Sequence, residues 1–341
     1  MPKPLTDLLQ ETSRSFYLTL RVLPARVRPQ IGLAYLLART TDTIADTGLV
    51  SLEQRLDALH KLRERILSLS TAPLNFGELA RQQGSPAERV LLEKAEDSLT
   101  LLQKLSPADL NLIRDVLTTI MGGQELDLRR FAGASAEKII ALETAAELDD
   151  YTYRVAGCVG EFWTKICRAH LFPNAKLEEG QLIANGVRFG KGLQLVNILR
   201  DLPADLHKGR CYLPTEKLEA AKLLPETVLS PANETRFLAL FREYLDKADS
   251  HLAAGWIYAN TLPFGQFRVR LACAWPILIG VRTLEKLRAA NVIELQQRVK
   301  VSRAEVRGMV IRSILACPFR KAWRDLLPTA RKAVASEGKL A

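Results

Sequence analysis

Two clusters of acidic side chains in this 341-residue sequence have spacings that could do chemistry. Asp42 and Asp46 stand four residues apart in Asp42-Thr43-Ile44-Ala45-Asp46. Asn197, Asp201 and Asp205 follow one another in steps of four, with Gln194 three residues earlier. On a helix, steps of three and four share one face. A solvated helix face carries such pairs at a cost of only about 0.2–0.5 kcal/mol, and that plain reading stays open for both clusters. The second is the stronger signal. Leu193 to Leu199 is mostly apolar, and a carboxylate on a largely buried helix needs a partner or a metal. Acidic pairs facing each other on two helices would form an oxygen-rich cage for a hard divalent cation. Mg²⁺ takes one or two carboxylates plus substrate phosphates. Arg39, three residues before Asp42, and Arg200, beside Asp201, suit bidentate hydrogen bonding to a diphosphate.

The elements that must position these residues are helices. Ile31, Ala34, Tyr35 and Ala38 fall on one face, and so do Leu52, Leu56, Leu59, Leu62 and Ile66, and later Phe237, Leu240, Phe241, Tyr244 and Leu245. These are the steps of an amphipathic helix. Alternating strand-like runs are nearly absent. Pro24 and Pro29 are expected to precede the first core helix, and residues 70–87 to form a loop. Ser106-Pro107 and Ser230-Pro231 read as helix starts with Ser as N-cap and Pro at the first helical position. Pro203 predicts a kink or a helix break between Asp201 and Asp205. The whole reads as one all-α domain, residues 1–341, of about ten or more helices.

These residues sit in a pattern that resembles the squalene and phytoene synthase family. Asp42–Asp46 and Asp201–Asp205 resemble its paired DxxxD signatures. Ser13-Arg14-Ser15-Phe16 is similar to its N-terminal segment. Tyr151-Thr-Tyr-Arg-Val-Ala-Gly157-Cys-Val-Gly160 is similar to its YxYxVAGxVG segment. Gln194 to Asp201, followed by Arg210-Cys-Tyr-Leu-Pro214, resembles its QxxNIxRDxxxD…RxYxP block, and Met121 to Asp127 a further stretch. The matches keep the family's order from about residue 13 to 214, with weaker agreement in Leu271–Leu284 and Lys300–Val306.

The resemblance implies an all-α isoprenoid synthase bundle with a central cavity, in which two farnesyl diphosphate molecules are joined head to head to presqualene diphosphate. It implies Mg²⁺ held by Asp42, Asp46, Asp201 and Asp205 with Asn197 beside them, and diphosphate partners Arg39, Arg200 and Arg210. Ser13, Arg14, Ser15 and Phe16 would belong to a substrate-closing segment. Gln194 and Asn197 would lie near metal and diphosphate, and Val155 and Val159 would line the apolar cavity. Tyr151 would assist proton removal and steady a carbocation. The same positions have plainer readings: Ser13 or Ser15 as a helix cap, Tyr151 and Tyr153 as core aromatics, Gly157 and Gly160 as small residues that let helices approach.

Within the family, squalene synthases reduce the cyclopropyl intermediate with NADPH, whereas dehydrosqualene and phytoene synthases lose a proton. The Ser-Arg-Ser-Phe and Asp-Thr-Ile-Ala-Asp spellings lean towards squalene synthase. Two departures pull the other way: Asp46-Thr47-Gly48 lacks a further acidic residue, and the stretch before Pro276 reads Arg-Val-Arg-Leu-Ala-Cys-Ala-Trp, onto which the aromatic cation-stabilising role of eukaryotic enzymes does not transfer. No GxGxxG follows a strand; NADPH would instead bind in the helical cavity.

The formal net charge is +10, with 48 basic and 38 acidic residues. Residues 298–341 hold eleven basic and three acidic side chains, a net +8, leaving about +2 for the rest. An excess of this kind fits nucleic acid, an anionic membrane or a phosphorylated substrate. No helix-turn-helix or RNA-binding signature supports nucleic acid. A composition of 48% apolar and 25% charged residues excludes a disordered chain. Five cysteines without a CxxC suggest neither a disulfide framework nor a zinc site, and four histidines show no ligand spacing. The N-terminus lacks the apolar stretch of a signal peptide. These features point to a cytoplasmic protein, with Arg298–Ala341 docking peripherally on the inner face of a membrane.

Overall fold

The computed structural model describes residues 3–13, 16–290, 292–293 and 298–332. Arg14 and Ser15, expected beside the substrate, lie outside the described residues. The chain packs as two compact units, Met1–Ala132 with Phe162–Asn174, and Gly133–Glu161 with Ala175–Ala341. The first holds α1 Lys3–Ser13, α2 Phe16–Val22, α3 Arg28–Asp46, α4 Leu52–Ile66, α5 Gly77–Arg81, α6 Pro86–Glu93, α7 Ala95–Leu102 and α8 Pro107–Arg130. α9 Ala145–Thr152 belongs to the second, and α10 Cys158–Leu171 contributes residues to each. The second continues with α11 Glu179–Leu206, α12 Thr215–Ala220, α13 Glu234–Thr261, α14 Phe267–Ala289, α15 Arg303–Ala316, α16 Arg320–Arg324 and α17 Leu326–Lys332. The sheet among the described residues is one parallel pair, β1 Ile140–Ala141 and β2 Arg210–Cys211, in register Ile140 to Arg210. The chain is therefore all-α, as its periodicity requires.

In the first unit α3 is the central element, packed on α8, α4, α6 and α7. It buries Leu33, Leu36, Leu37 and Ile44, each contributing roughly 1.5–3 kcal/mol through removal from water. In the second unit α11 lies along α13 and α14. Phe237, Leu240, Phe241, Tyr244 and Leu245 of α13 are all buried, the stripe that the sequence predicts. All five cysteines are free and buried.

Two glycines make close approaches that no side chain would permit. A Cβ on Gly160 would stand 1.9 Å from the carbonyl oxygen of Gly186 on α11. Gly209 has φ +76° and lies against the Ser135 backbone, turning the chain out of α11 into β2.

Four expectations are corrected. Helix α11 runs unbroken to Leu206 with Pro203 inside it, so there is no break between Asp201 and Asp205. The proline removes one N–H near the helix end, while Leu199, Leu202 and Leu206 keep that turn packed in the core. Two helices, α1 and α2, precede Pro24. The 70–87 loop contains α5. Ser230-Pro231 begins a 3₁₀ turn without a side-chain cap bond, whereas Ser106 caps α8 by accepting from Asp109 N at 3.2 Å.

Candidate functional site

In the first unit, Asp42 and Asp46 occupy the last two turns of α3. Arg39 Nη1 lies 3.8 Å from Asp42 Oδ2, and Arg39 Nη2 bonds Glu88 of α6. From α8, Gln124 Nε2 donates to Asp42 Oδ1 at 2.5 Å. Asp42 is crowded on its flanks yet 48% exposed, so protein walls it in while its tip meets water. Burial, followed by the neighbouring Asp46 charge, pushes its carboxyl up to about 6, against the pull of Arg39 and Gln124. Asp42 and Glu88 share Arg39. Two buried polar atoms here have no hydrogen-bond partner, Gln124 Oε1, an acceptor, and Arg39 Nε, a donor. An unpaired buried polar atom costs about 1–3 kcal/mol. An amide oxygen beside a carboxylate suits a hard cation, and an unpaired guanidinium N–H beside it suits a phosphate oxygen.

Ser13 and Phe16 also lie in this unit. Ser13 Oγ donates to Leu9 O at 2.5 Å and is buried, a bond within α1 rather than an N-cap. Phe16 stacks on Tyr35 of α3 with ring centroids 5.0 Å apart.

In the second unit, Gln194, Asn197, Asp201 and Asp205 follow one another along α11, all partly buried. Tyr151 of α9 stacks on Tyr212, next to β2, at 4.8 Å. Gln194 Nε2 donates to Tyr151 Oη at 3.5 Å, and Asn197 Nδ2 to Gln194 Oε1 at 3.5 Å. These are long bonds, forming a loose polar ladder that leads to the aspartates. Arg200 grips Asp201 with two bonds of 2.9 Å. Arg298 makes a second bidentate pair with the same carboxylate. Burial alone would raise Asp201, but the bonds from Arg200 and Arg298 outweigh it and hold the carboxyl below its usual range. Arg210 sits in β2, delivered by the Gly209 turn. Val155 lies in a π-helical turn, Tyr153–Gly157, and Val159 at the start of α10; both are partly buried. A π turn shifts every following side chain around the helix axis and often marks a functional segment.

The two units thus differ in charge. Asp42 has Arg39 at 3.8 Å, a cation that Glu88 shares, whereas Asp201 carries two arginines. Among the described residues no three His, Cys, Asp or Glu converge on a ready-made metal cage; Mg²⁺ bound through one or two carboxylates, waters and phosphates needs none. Two of the histidines have structural surroundings: His170 Nε2 pairs with Asp109 at 2.7 Å, and burial, then Arg188, holds His251 down at about 4.

Sequence reasoning gave no place at the site to Gln124, Glu88 or Arg298, the last expected only as the start of a membrane-docking segment and found on Asp201. Gln124 lies inside a quoted motif, which was the available signal. Glu88 and Arg298 stand 49 and 97 residues from their partners, and no local pattern reports such pairs.

A helical fold with two aspartate-bearing helices, a tyrosine–glutamine–asparagine ladder and arginines on the second motif defines the class of isoprenoid synthases. A family model for squalene/phytoene synthase matches residues 9–305, and the chain belongs to that family, one of prenyltransferase-type isoprenoid synthases. A bifunctional lycopene cyclase/phytoene synthase of Blakeslea trispora is 26% identical over 310 residues, covering 89% of this chain and 46% of the relative. The corresponding protein of Gibberella fujikuroi is 31% identical over 250 residues, 71% of this chain and 40% of the relative. Squalene synthase of Saccharomyces cerevisiae is 26% identical over 313 residues, 90% of this chain and 66% of the relative. The chain spans less than half the length of these phytoene synthase relatives. Among solved structures, TcSQS in complex with the ligand BPH1237 superposes with TM-score 0.77 at 22% identity, covering 99% of this chain and 92% of that one. A dehydrosqualene synthase gives 0.63 at 20% identity, covering 97% and 95%. At these identities the structures speak for the fold.

Proposed function

We propose that the protein is a Mg²⁺-dependent squalene synthase. The observation that carries this is the Asp42 corner, where a carboxylate pushed up to about 6 by burial and by Asp46 lies beside the unpartnered oxygen of Gln124. Asp42, Asp46, Asp201 and Asp205, with Asn197 nearby, would hold Mg²⁺. When bound, Mg²⁺ supplies Lewis-acid neutralisation of charge on the leaving diphosphate. Arg39, Arg200 and Arg210 donate to phosphate oxygens. The C1–O bond of one farnesyl diphosphate breaks, its electron pair leaving with diphosphate. The second substrate's double bond attacks the allylic cation, and loss of one proton gives presqualene diphosphate. Tyr151 Oη, held by Gln194 and by stacking on Tyr212, is the group for that proton and for steadying the cation. Val155 and Val159 would line the cavity for the isoprenoid chain, and Ser13 and Phe16 would belong to the substrate-closing segment.

NADPH would reduce this intermediate to squalene. The described residues offer no strand-borne nucleotide cradle, since their sheet is two strands of two residues; the reductive step rests on family likeness. Dehydrosqualene or phytoene synthesis is the second reading, favoured by the 31% identity to a phytoene synthase relative. No described helix is long and apolar enough to cross a membrane, and the basic segment from Arg298 onward supports peripheral binding to a membrane that receives an apolar product. Purified protein incubated with farnesyl diphosphate and Mg²⁺, with and without NADPH, tests the reading. Squalene formed only with NADPH is expected. Dehydrosqualene regardless of NADPH, or turnover of geranylgeranyl diphosphate alone, supports the second reading instead.

A further inference from the structure

Helix α15 turns two unlike faces outward and inward. Met309, Ser313 and Ala316 are buried, and Trp275 Nε1 of α14 donates to Ser313 Oγ at 2.8 Å. Ile311, Ile314 and Leu315, spaced three and four apart, are 50%, 49% and 67% exposed, and Phe319 beyond them is 66% exposed. In the turn between α13 and α14, Phe264 is 47% exposed, and Phe267 at the start of α14 is 52% exposed. The two exposed groups are adjoined through α16: the Arg320 guanidinium, next to Phe319, lies 5.5 Å from the Phe264 ring. Scattered exposed apolar residues are ordinary, but a contiguous cluster marks a contact surface.

The charge around the cluster names its partner. Arg303, Arg307, Arg312, Arg320, Lys321 and Arg324 are all exposed. The one carboxylate in residues 303–324, Glu305, is turned inward to Arg282 and Lys286 at 2.7 and 2.9 Å. The outward face is therefore predominantly cationic and apolar, with Asp325 at the end of α16 as the exposed acidic side chain beside six exposed basic ones. Beneath it, a cavity of about 260 Å³ is lined by Arg270, Arg320 and Arg324. Arg270 is 5% exposed and clamped 4.7 Å from the Trp323 ring, which stacks on Trp256. A second copy would present the same cations, and like charges repel. Large apolar side chains have no use on a nucleic acid backbone. An anionic bilayer satisfies both properties: apolar groups enter the headgroup–acyl boundary, and each basic residue gains from the surface potential.

We infer that the face formed by α15, Phe319, α16 and the Phe264–Phe267 turn docks the protein on an anionic lipid surface, with the arginine-lined cavity taking a lipid phosphate. This deepens the peripheral-membrane reading above by naming the surface, and it does not depend on which product is formed.

The test is flotation of the full-length chain with vesicles of phosphatidylcholine alone or with 30% phosphatidylglycerol. Compared are the wild type, the double variant Leu315→Gln/Phe319→Gln and the double variant Arg320→Gln/Arg324→Gln, with circular dichroism confirming the fold and light scattering reporting the oligomeric state. The expected result is binding to the anionic vesicles only, falling at least tenfold in either variant. No wild-type flotation overturns both this inference and the peripheral reading. Flotation of both variants equal to the wild type overturns this face alone, leaving the basic segment as the anchor. A wild-type dimer that the variants dissociate overturns it in favour of an interface between copies. Should Arg320→Gln/Arg324→Gln melt early, the apolar double variant still decides, because its two side chains are exposed.

Discussion

Asp42 shows how one side chain can be chemically specified by what its neighbours lack. Its carboxyl is pushed up to about 6 by burial and by Asp46, and Arg39, already bonded to Glu88, does not restore it. Replacing Asp42 or Asp201 by Asn should lower turnover more than about 100-fold while leaving the helical circular dichroism signal intact; retained activity in either refutes the metal assignment. Gln124 supplies a sharper check. Its amide donates to Asp42 while its oxygen stays unpartnered. Gln124→Leu removes a bond to a charged group, worth about 1.5–3 kcal/mol, so Mn²⁺ affinity measured by electron paramagnetic resonance should fall roughly 10- to 100-fold. Unchanged affinity would make Gln124 a packing residue only. The aspartates, the ladder residues and the two adjacent arginines were legible from spacing and motif order. Glu88, Gln124 and Arg298 acquire meaning only from contacts across 49 to 97 residues, which periodicity does not encode.

Helix periodicity reads the stripe of α13 directly, since all five of its residues are buried, and the Leu59, Leu62 and Ile66 part of α4, whereas in α3 the core is Leu33, Leu36, Leu37 and Ile44 while Tyr35 and Ala38 of the expected stripe are only partly buried. It does not report how closely two helices approach, nor whether a proline is outvoted by packing. Pro203 is the clear case: the loss of one helix bond is outweighed by three buried leucines around it. Gly160 is the converse case, anticipated as a small residue and found 1.9 Å from a carbonyl once a Cβ is added. Gly160→Ala must push the start of α10 from α11, at a cost of about 1–3 kcal/mol or more, and a lowered midpoint in thermal unfolding should show it. The N-terminus of α15 gives a pH prediction. Burial would raise Glu305, but bonds from Lys286, Ser302 N and Arg282 outweigh it and bring the carboxyl to about 2. Its folded value lies below the unfolded 4.5, so its contribution is present above about pH 4.5 and is lost as pH falls towards 2. Between pH 5 and 3, urea stability of the wild type should fall more steeply than that of Glu305→Gln. Parallel slopes would show that the box of bonds around Ser302 contributes nothing.

At the scale of the whole chain, the +10 charge separates into two uses. Most of it lies beyond residue 297, where the exposed basic residues of 303–324 are assigned above to a lipid surface while Arg298 and Arg331 pair with Asp201 and Asp249. The remainder hides cancelling pairs around the two aspartate motifs, one with Arg39 shared between Asp42 and Glu88 and one carrying two arginines on Asp201. The proposed reaction gives the two motifs one task, the release of a single diphosphate, although they belong to different compact units. That has a thermodynamic consequence which neither unit reveals alone. Sites acting independently give additive losses, whereas groups serving one ligand give strongly non-additive ones. Binding of inorganic pyrophosphate with Mn²⁺ should therefore be measured by titration calorimetry for Asp42→Asn, Asp201→Asn and the double variant. If each single variant costs about 100-fold, independent motifs predict about 10⁴-fold for the pair. The shared task predicts a double variant within about threefold of the weaker single one, because the first substitution already removes the ligand that the second motif would hold. Additive losses would mean that each motif binds its own anion, and a head-to-head condensation driven from both would have to be abandoned.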